Sequence, residues 1–196
     1  SRPVLVVFDA QAVPHVKAET EEDLFYAVGY LHAKERLFQM ELIRRACQGR
    51  LAELFGDRPQ PSSSPFRNTL ALDRYFRVIG LHRLGEQAAT AVDERSRALG
   101  EAYVAGINEY IAKGTPPIEL RLLHLTPEPW TVGHVMTVAR FQGWHISMNM
   151  PQELIRYLLR AELGPGGQQE VFPGFDHPGP YIIDRADKDY RRILAK

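Results

Sequence analysis

The stretch EEDLFYAVGYLHAKERLFQMELIRR, residues 21–45, decides the fold. Apolar residues recur at 24, 28, 31, 38 and 42, and a second row through 30 and 37, continued by the glutamate at 41, widens the stripe. Spacings of three and four place both rows on one side of an α-helix, which therefore has a broad buried face. Thr20 precedes the first turn, and its hydroxyl can accept from a free helix amide. Asp23 sits three residues on, as in a capping box, and Glu21, Glu22 and Asp23 face the positive end of the helix dipole. From Thr20 to Arg45 the helix would run roughly 40 Å at 1.5 Å per residue, the span of a whole domain. Gly49 closes it, and RLAELFG (50–56) adds a helical turn or two ended by Gly56.

Upstream, VLVVF (4–8) and PHVKA (14–18) read as two short strands separated by the turn-prone DAQA (9–12). Downstream, DRPQPSSSP (57–65) is a loop, because its prolines and serines oppose regular structure. Helical patterns follow over 66–79, 83–90 and 93–114; in the last, Leu99, Tyr103, Ile107, Tyr110 and Ile111 recur at helical spacing. The prolines of TPPIELRLLHLTPEPW (115–130) break the pattern. Thr131 caps a further helix over 131–148, and QELIRYLLRAEL (152–163) forms the last clear one before GPGG (164–167). The tail from 171 carries three prolines and two glycines up to Pro180, as expected of a segment lying extended on another surface. No repeat or low-complexity run divides the chain, so 1–196 reads as a single unit, mostly helical with a few strands at its start.

Composition narrows the function classes. A hydrophobic fraction of 44% and a charged fraction of 24% are ordinary for a globular chain of 196 residues. The 24 basic and 24 acidic residues cancel, and no zinc-finger, RNP or basic-stripe pattern occurs, which argues against a nucleic-acid partner. No apolar run reaches membrane-spanning length. Cys47 is the single cysteine, so an intrachain disulfide is excluded; the compartment stays open on composition.

The sequence offers no catalytic set. There is no GxSxG elbow, no HExxH and no glycine-rich phosphate loop. His32 and Glu35 stand three apart on the long helix, a surface pair and an incomplete metal site. His15 reads as a buried histidine satisfied by backbone, and Asp9 as a strand-ending aspartate bonded to the turn amides behind it. Trp130, in PEPW, reads as an anchored corner; His134, Trp144 and His145 lie on the helix that follows it. Ser1 has the chemistry of an N-terminal nucleophile, since a free α-amine can accept its hydroxyl proton. The residues after it, RPVLVVF, form an edge-like strand and bring no asparagine for an oxyanion hole, so Ser1 reads as a cut end.

The order of motifs is informative where single residues are not. Asp9 closing a strand, AVPHV (12–16), EEDLFYAVGY (21–30), AKERLFQME (33–41) and GRLAELFG (49–56) resemble the opening of the α chain of penicillin acylases, a family of N-terminal-nucleophile amidohydrolases. The likeness is dense over the first third of the chain and looser beyond. It implies a precursor that cuts itself into an α chain and a longer β chain. The nucleophile is then the serine freed at the β N-terminus, with oxyanion-hole groups also from β and no catalytic residue in this chain. It implies an αββα sandwich completed by the β chain, with the 164–196 tail packed on that partner. The expected activity is hydrolysis of the amide of a small N-acyl substrate, such as a β-lactam side chain. An acyl-homoserine lactone or lipopeptide acylase is the alternative within the family. A periplasmic or secreted location follows from the resemblance alone.

The resemblance also implies a structural calcium ion and no organic cofactor. Its one α-chain glutamate matches Glu153; calcium wants six to eight oxygens, so the β chain would supply the rest. The dipole of the helix N-terminus accounts for Glu153 without any ion. In penicillin G acylases a methionine, an arginine and a phenylalanine gate the acyl pocket shortly before that glutamate. Counting back from Glu153 gives Gly143, Ile146 and Ser147, none of which keeps the identity. With Trp144 between them and Met148 beyond, this edge suits an aliphatic acyl chain, because apolar walls discriminate by volume. Ala12 stands where the family commonly has glycine, so another turn conformation is expected there. A different class of function stays open: a non-catalytic helical interaction module whose proline-rich tail docks on a partner.

Overall fold

In a computed structural model of the chain, residues 3–62, 64, 66–147 and 150–171 are described. They form a two-stranded antiparallel sheet followed by helices. Strands β1 (Leu5–Phe8) and β2 (Pro14–Lys17) pair with Val6 opposite Val16. The turn between them is built by Asp9. Its Oδ1 accepts from the amides of Gln11 (3.0 Å) and Val13 (2.9 Å), as expected. Ala12 nonetheless takes the left-handed conformation (φ 61°), contrary to the expectation that alanine would avoid it. The Asp9 bonds and the Ala12 N–H to Asp9 carbonyl bond (3.0 Å) hold it there. His15 is a second departure: it is exposed, and its Nε2 lies 3.0 Å from Asp9 Oδ2.

Helix α1 (Glu21–Gln48) runs 28 residues, and Thr20 Oγ1 accepts from the Asp23 amide at its start. It bends at Arg36, whose φ/ψ of −139°/19° is non-helical, and ends at left-handed Gly49. Helix α2 (Ala52–Phe55) is one turn. Helix α3 (Thr69–Ile79) starts at Asn68, whose side chain caps the Ala71 amide. Helix α4 (Leu81–Ala91) follows directly, and α5 (Glu94–Lys113) is capped by Asp93. In the proline-rich region the short helix α6 (Ile118–Leu122) forms behind Pro117, which the expected break did not foresee. Helix α7 (Val132–Ile146) is capped by Thr131 Oγ1, which accepts from the His134 amide (3.2 Å).

Helices α1 and α5 meet backbone to backbone. A Cβ on Gly29 would run into the Tyr103 carbonyl, and one on Gly106 would come within 2.8 Å of the Tyr30 amide nitrogen and collide with the Tyr26 carbonyl. Around this crossing Ala33, Leu37, Val104, Ile107, Leu120 and Trp130 form the core.

The chain divides into two units, Ser1–Ile146 and Ser147–Lys196. In the second, helix α8 (Met150–Val171) is broken at Gly164 (φ 72°, ψ 176°). Helical geometry resumes through the GPGG segment, where the sequence reads as non-helical. Most of the proline-rich tail, residues 172–196, lies outside the described residues, as do Ser1 and Met148.

Candidate functional site

Two groups of side chains stand out, one buried and one at a helix end. The buried group is made by the stretch that decides the fold. Position 41, in the second row of α1, is a glutamate, and it is fully buried (0% exposed). Its carboxylate accepts from Arg44 Nη2 (2.7 Å) and from the indole Nε1 of Trp130 (3.1 Å), and lies 3.6 Å from Arg45 Nε. Arg44 also donates to the Pro129 carbonyl (3.2 Å) and stacks over the Trp130 ring. Arg45 continues outward to Glu53 (3.0 Å), which shares Arg50 with Glu128. Hydrogen bonds from Arg50 hold the Glu53 and Glu128 carboxyls below the usual glutamate range. Asp73, buried on α3, accepts from the amides of Leu51 (2.9 Å) and Ala52 (2.8 Å), so GRLAELFG is fastened at its turn. Trp130 is anchored as expected: Asn108 receives its amide (2.7 Å) and donates to its carbonyl (3.0 Å).

Every acceptor of this network is engaged by a cation or an N–H from within the chain, so it braces α1, α3, α5 and the Trp130 corner. Nothing in it is poised to attack a bond. Sequence reading missed it because glutamate at a core position looks like a break in the apolar row. The available signal was Glu41, Arg44 and Arg45 at i, i+3 and i+4 on that row.

Other reactive types are also engaged. Burial pushes the Cys47 thiol up to about 12, so it stays protonated at neutral pH. His32 Nδ1 is 2.9 Å from the Tyr103 hydroxyl, a bond to α5 that replaces the expected surface pairing with Glu35. Asp9 is held below the ordinary range first by His15 and then by the Val13 amide, and no nucleophile stands beside that pair among the described residues.

The second group is at the end of α7. Trp144 packs against Phe76 (ring centroids 5.2 Å), Phe141 (5.7 Å) and Tyr75 (5.9 Å), and Tyr75 against Phe66 (4.8 Å). Phe141 also lines a cleft of about 640 Å³ with Leu42, Leu51, Leu54 and Leu72. The last turn of α7 and the residue beyond it carry all four positions expected to border a pocket. Gly143 is open, with no atom within 4 Å of where a Cβ would stand, and Ile146 is 82% exposed. Trp144 is half-buried and Ser147 exposed. Glu153, on the first turn of α8, is exposed (side chain 59%), with Arg156 at 3.7 Å.

Comparisons with known proteins bear on the fold and the family. A crystallised chain, the thermostable penicillin G acylase from Alcaligenes faecalis, shares the fold with a TM-score of 0.67 and 24% identity over 93% of this chain and 97% of that one. The class is thus that of a penicillin G acylase chain in fold. By sequence, residues 3–181 match Penicillin amidase, and the chain belongs to that family. It is 38% identical over 144 residues to penicillin acylase 2 proenzyme of a Pseudomonas species, covering 73% of this chain and 17% of that protein. It is 27% identical over 158 residues to acyl-homoserine lactone acylase QuiP of Pseudomonas aeruginosa, covering 80% and 18%. The chain therefore spans less than a fifth of the length of these curated relatives. No helix among the described residues is long and apolar enough to cross a membrane.

Proposed function

We propose that this chain is the α subunit of a penicillin-acylase-like amidase and contributes an acyl-pocket wall, while a second chain supplies the chemistry. One observation carries the reading. The chain belongs to the penicillin amidase family, is 38% identical over 144 residues to a penicillin acylase proenzyme, and shares the fold of a solved penicillin G acylase chain. The engaged state of Cys47, Asp9, His15 and the Glu41 network supports it, since these groups serve the fold.

In the proposed reaction the N-terminal serine of the β chain attacks the amide carbonyl of an N-acyl substrate, and its α-amine takes up the proton. The α-amine passes that proton to the departing amine as the C–N bond breaks, and water then hydrolyses the acyl-enzyme to the acid and the free serine. Gly143, Trp144, Ile146 and Ser147 border the acyl group. Apolar surface at Trp144 and Ile146, with the open position at Gly143, favours a flexible aliphatic chain. That preference, with the likeness to QuiP, supports a second reading in which the substrate is an acyl-homoserine lactone. Glu153 has the hard oxygen that calcium takes and is exposed enough to reach it. One carboxylate is far short of a calcium shell, so the remaining oxygens come from the β chain in this proposal, and Arg156 gives way. Assembly outside the cytoplasm is part of the same reading.

A denaturing gel with intact-mass analysis of the native protein tests it. The expected result is a second, longer chain that begins with serine. A lone 22.3 kDa chain without hydrolytic activity would instead make this a helical interaction module. In the active protein, comparing a penicillin with an N-acyl-homoserine lactone as substrate separates the two acylase readings.

A further inference from the structure

We propose that His82, Glu86 and His134 form a zinc site that ties α4 to α7. His82 and Glu86 are one turn apart on α4, and His134 is in the first turn of α7. One ligand atom from each lies within 4.8 Å of the other two. The two imidazoles stack with centroids 5.8 Å apart and planes 23° from parallel. His82 Nδ1 is buried and has no hydrogen bond among the described residues; Glu86 Oε1 stands 3.9 Å from it. The Glu86 carboxylate occupies the space that a Cβ at position 133 would fill, so Gly133 forms the cradle that brings it beside His134.

Two imidazole nitrogens and one carboxylate oxygen, with a fourth position left for water, are a zinc donor set. Zinc–ligand bonds of about 2.0–2.1 Å put tetrahedral donors roughly 3.3 Å apart, so donor pairs within 4.8 Å must close by at most about 1.5 Å. His82 and Glu86 have room for this, with side chains 40% and 49% exposed. The helices need not move. They are already locked by Gly85, where a Cβ would come within 2.7 Å of the Thr137 backbone.

Loading the site has one built-in cost. His134 Nδ1 accepts from the Thr131 amide (3.1 Å), and a neutral imidazole has a single lone pair. Whichever nitrogen takes the metal, that bond is given up. The start of α7 stays capped, because Thr131 Oγ1 still accepts from the His134 amide. The nearby Arg44 charge opposes a cation, and the Glu86 carboxylate offsets it.

The test uses the complete native protein, stripped with a chelator and titrated with zinc chloride in excess calcium. One zinc of this class should bind by calorimetry, and cobalt should give the visible absorption of a four-coordinate site. His82→Ala and Glu86→Gln, which alter half-exposed side chains, should each weaken zinc binding roughly tenfold or more and abolish the cobalt spectrum. Circular dichroism should match the parent. Zinc uptake absent in the parent, or unchanged in both variants, would overturn the site.

Discussion

The Glu41 network and the end of α7 stand at opposite extremes of chemistry and exposure. Around Glu41, charges are buried and each carboxylate oxygen meets a cation or an N–H of the same chain. At the end of α7, Ile146 is 82% exposed and Gly143 faces open space. The difference teaches where function can lie. A network whose carboxylate oxygens are all engaged from within the chain is a brace, while an edge that the chain leaves bare is available to a substrate or a second chain. The charge-rich stretch that looks most enzymatic is thus the most structural.

Breaking the brace should give the largest effect. Glu41→Gln leaves Arg44 and Arg45 buried without their shared carboxylate, and urea unfolding should show a loss of about 3–5 kcal/mol. A loss below 1 kcal/mol would mean that the charges are solvated after all. Next comes the helix crossing. Gly29→Ala forces a methyl against the Tyr103 carbonyl and should cost about 1–3 kcal/mol, read as a lower melting temperature.

A smaller effect should appear with pH. Burial, and then the charge of Arg44, pushes the His134 imidazole down from 6.5 to about 4. The unfolded chain therefore takes up this proton first. The stability from neutral His134 is fully present above pH 6.5 and is lost as pH falls towards 4. After screening at the half-exposed ring the loss is about 1–2 kcal/mol, and His134→Gln should flatten that part of the profile. Glu53 and Glu128 add a loss of the same sign below their ordinary 4.5. At the other pole of the comparison, Ile146→Ala should change stability by less than about 0.5 kcal/mol. It should still shift the ratio of kcat/KM between short and long acyl chains by several fold. An unchanged ratio would remove Ile146 from the pocket.

The elements were legible where periodicity and caps agree. Thr20, Gly49, Asp93 and Thr131 mark their helix ends in the sequence as in the fold, because capping is a local exchange of hydrogen bonds. Pairings across the chain were not legible. Glu41 meets Trp130 at a separation of 89 residues, and His32 meets Tyr103 at 71; no local pattern announces either. Ala12 shows the reverse error, since a propensity argument gave way to two hydrogen bonds that the Asp9 carboxylate accepts from the Gln11 and Val13 amides. Of the pocket edge, the sequence supplied positions by resemblance. The aromatic group behind Trp144 needed the fold, since Tyr75 and Phe76 come from another helix.

The central claim is that this chain shapes a site whose nucleophile lies elsewhere. A serine-directed sulfonyl fluoride applied to the active native protein, followed by intact-mass analysis of each chain, tests it most directly. The account predicts one adduct, on the N-terminal serine of a second chain, and an unmodified mass for the 22.3 kDa chain. An inactivating adduct on Ser1, or on any other residue of this chain, would contradict it.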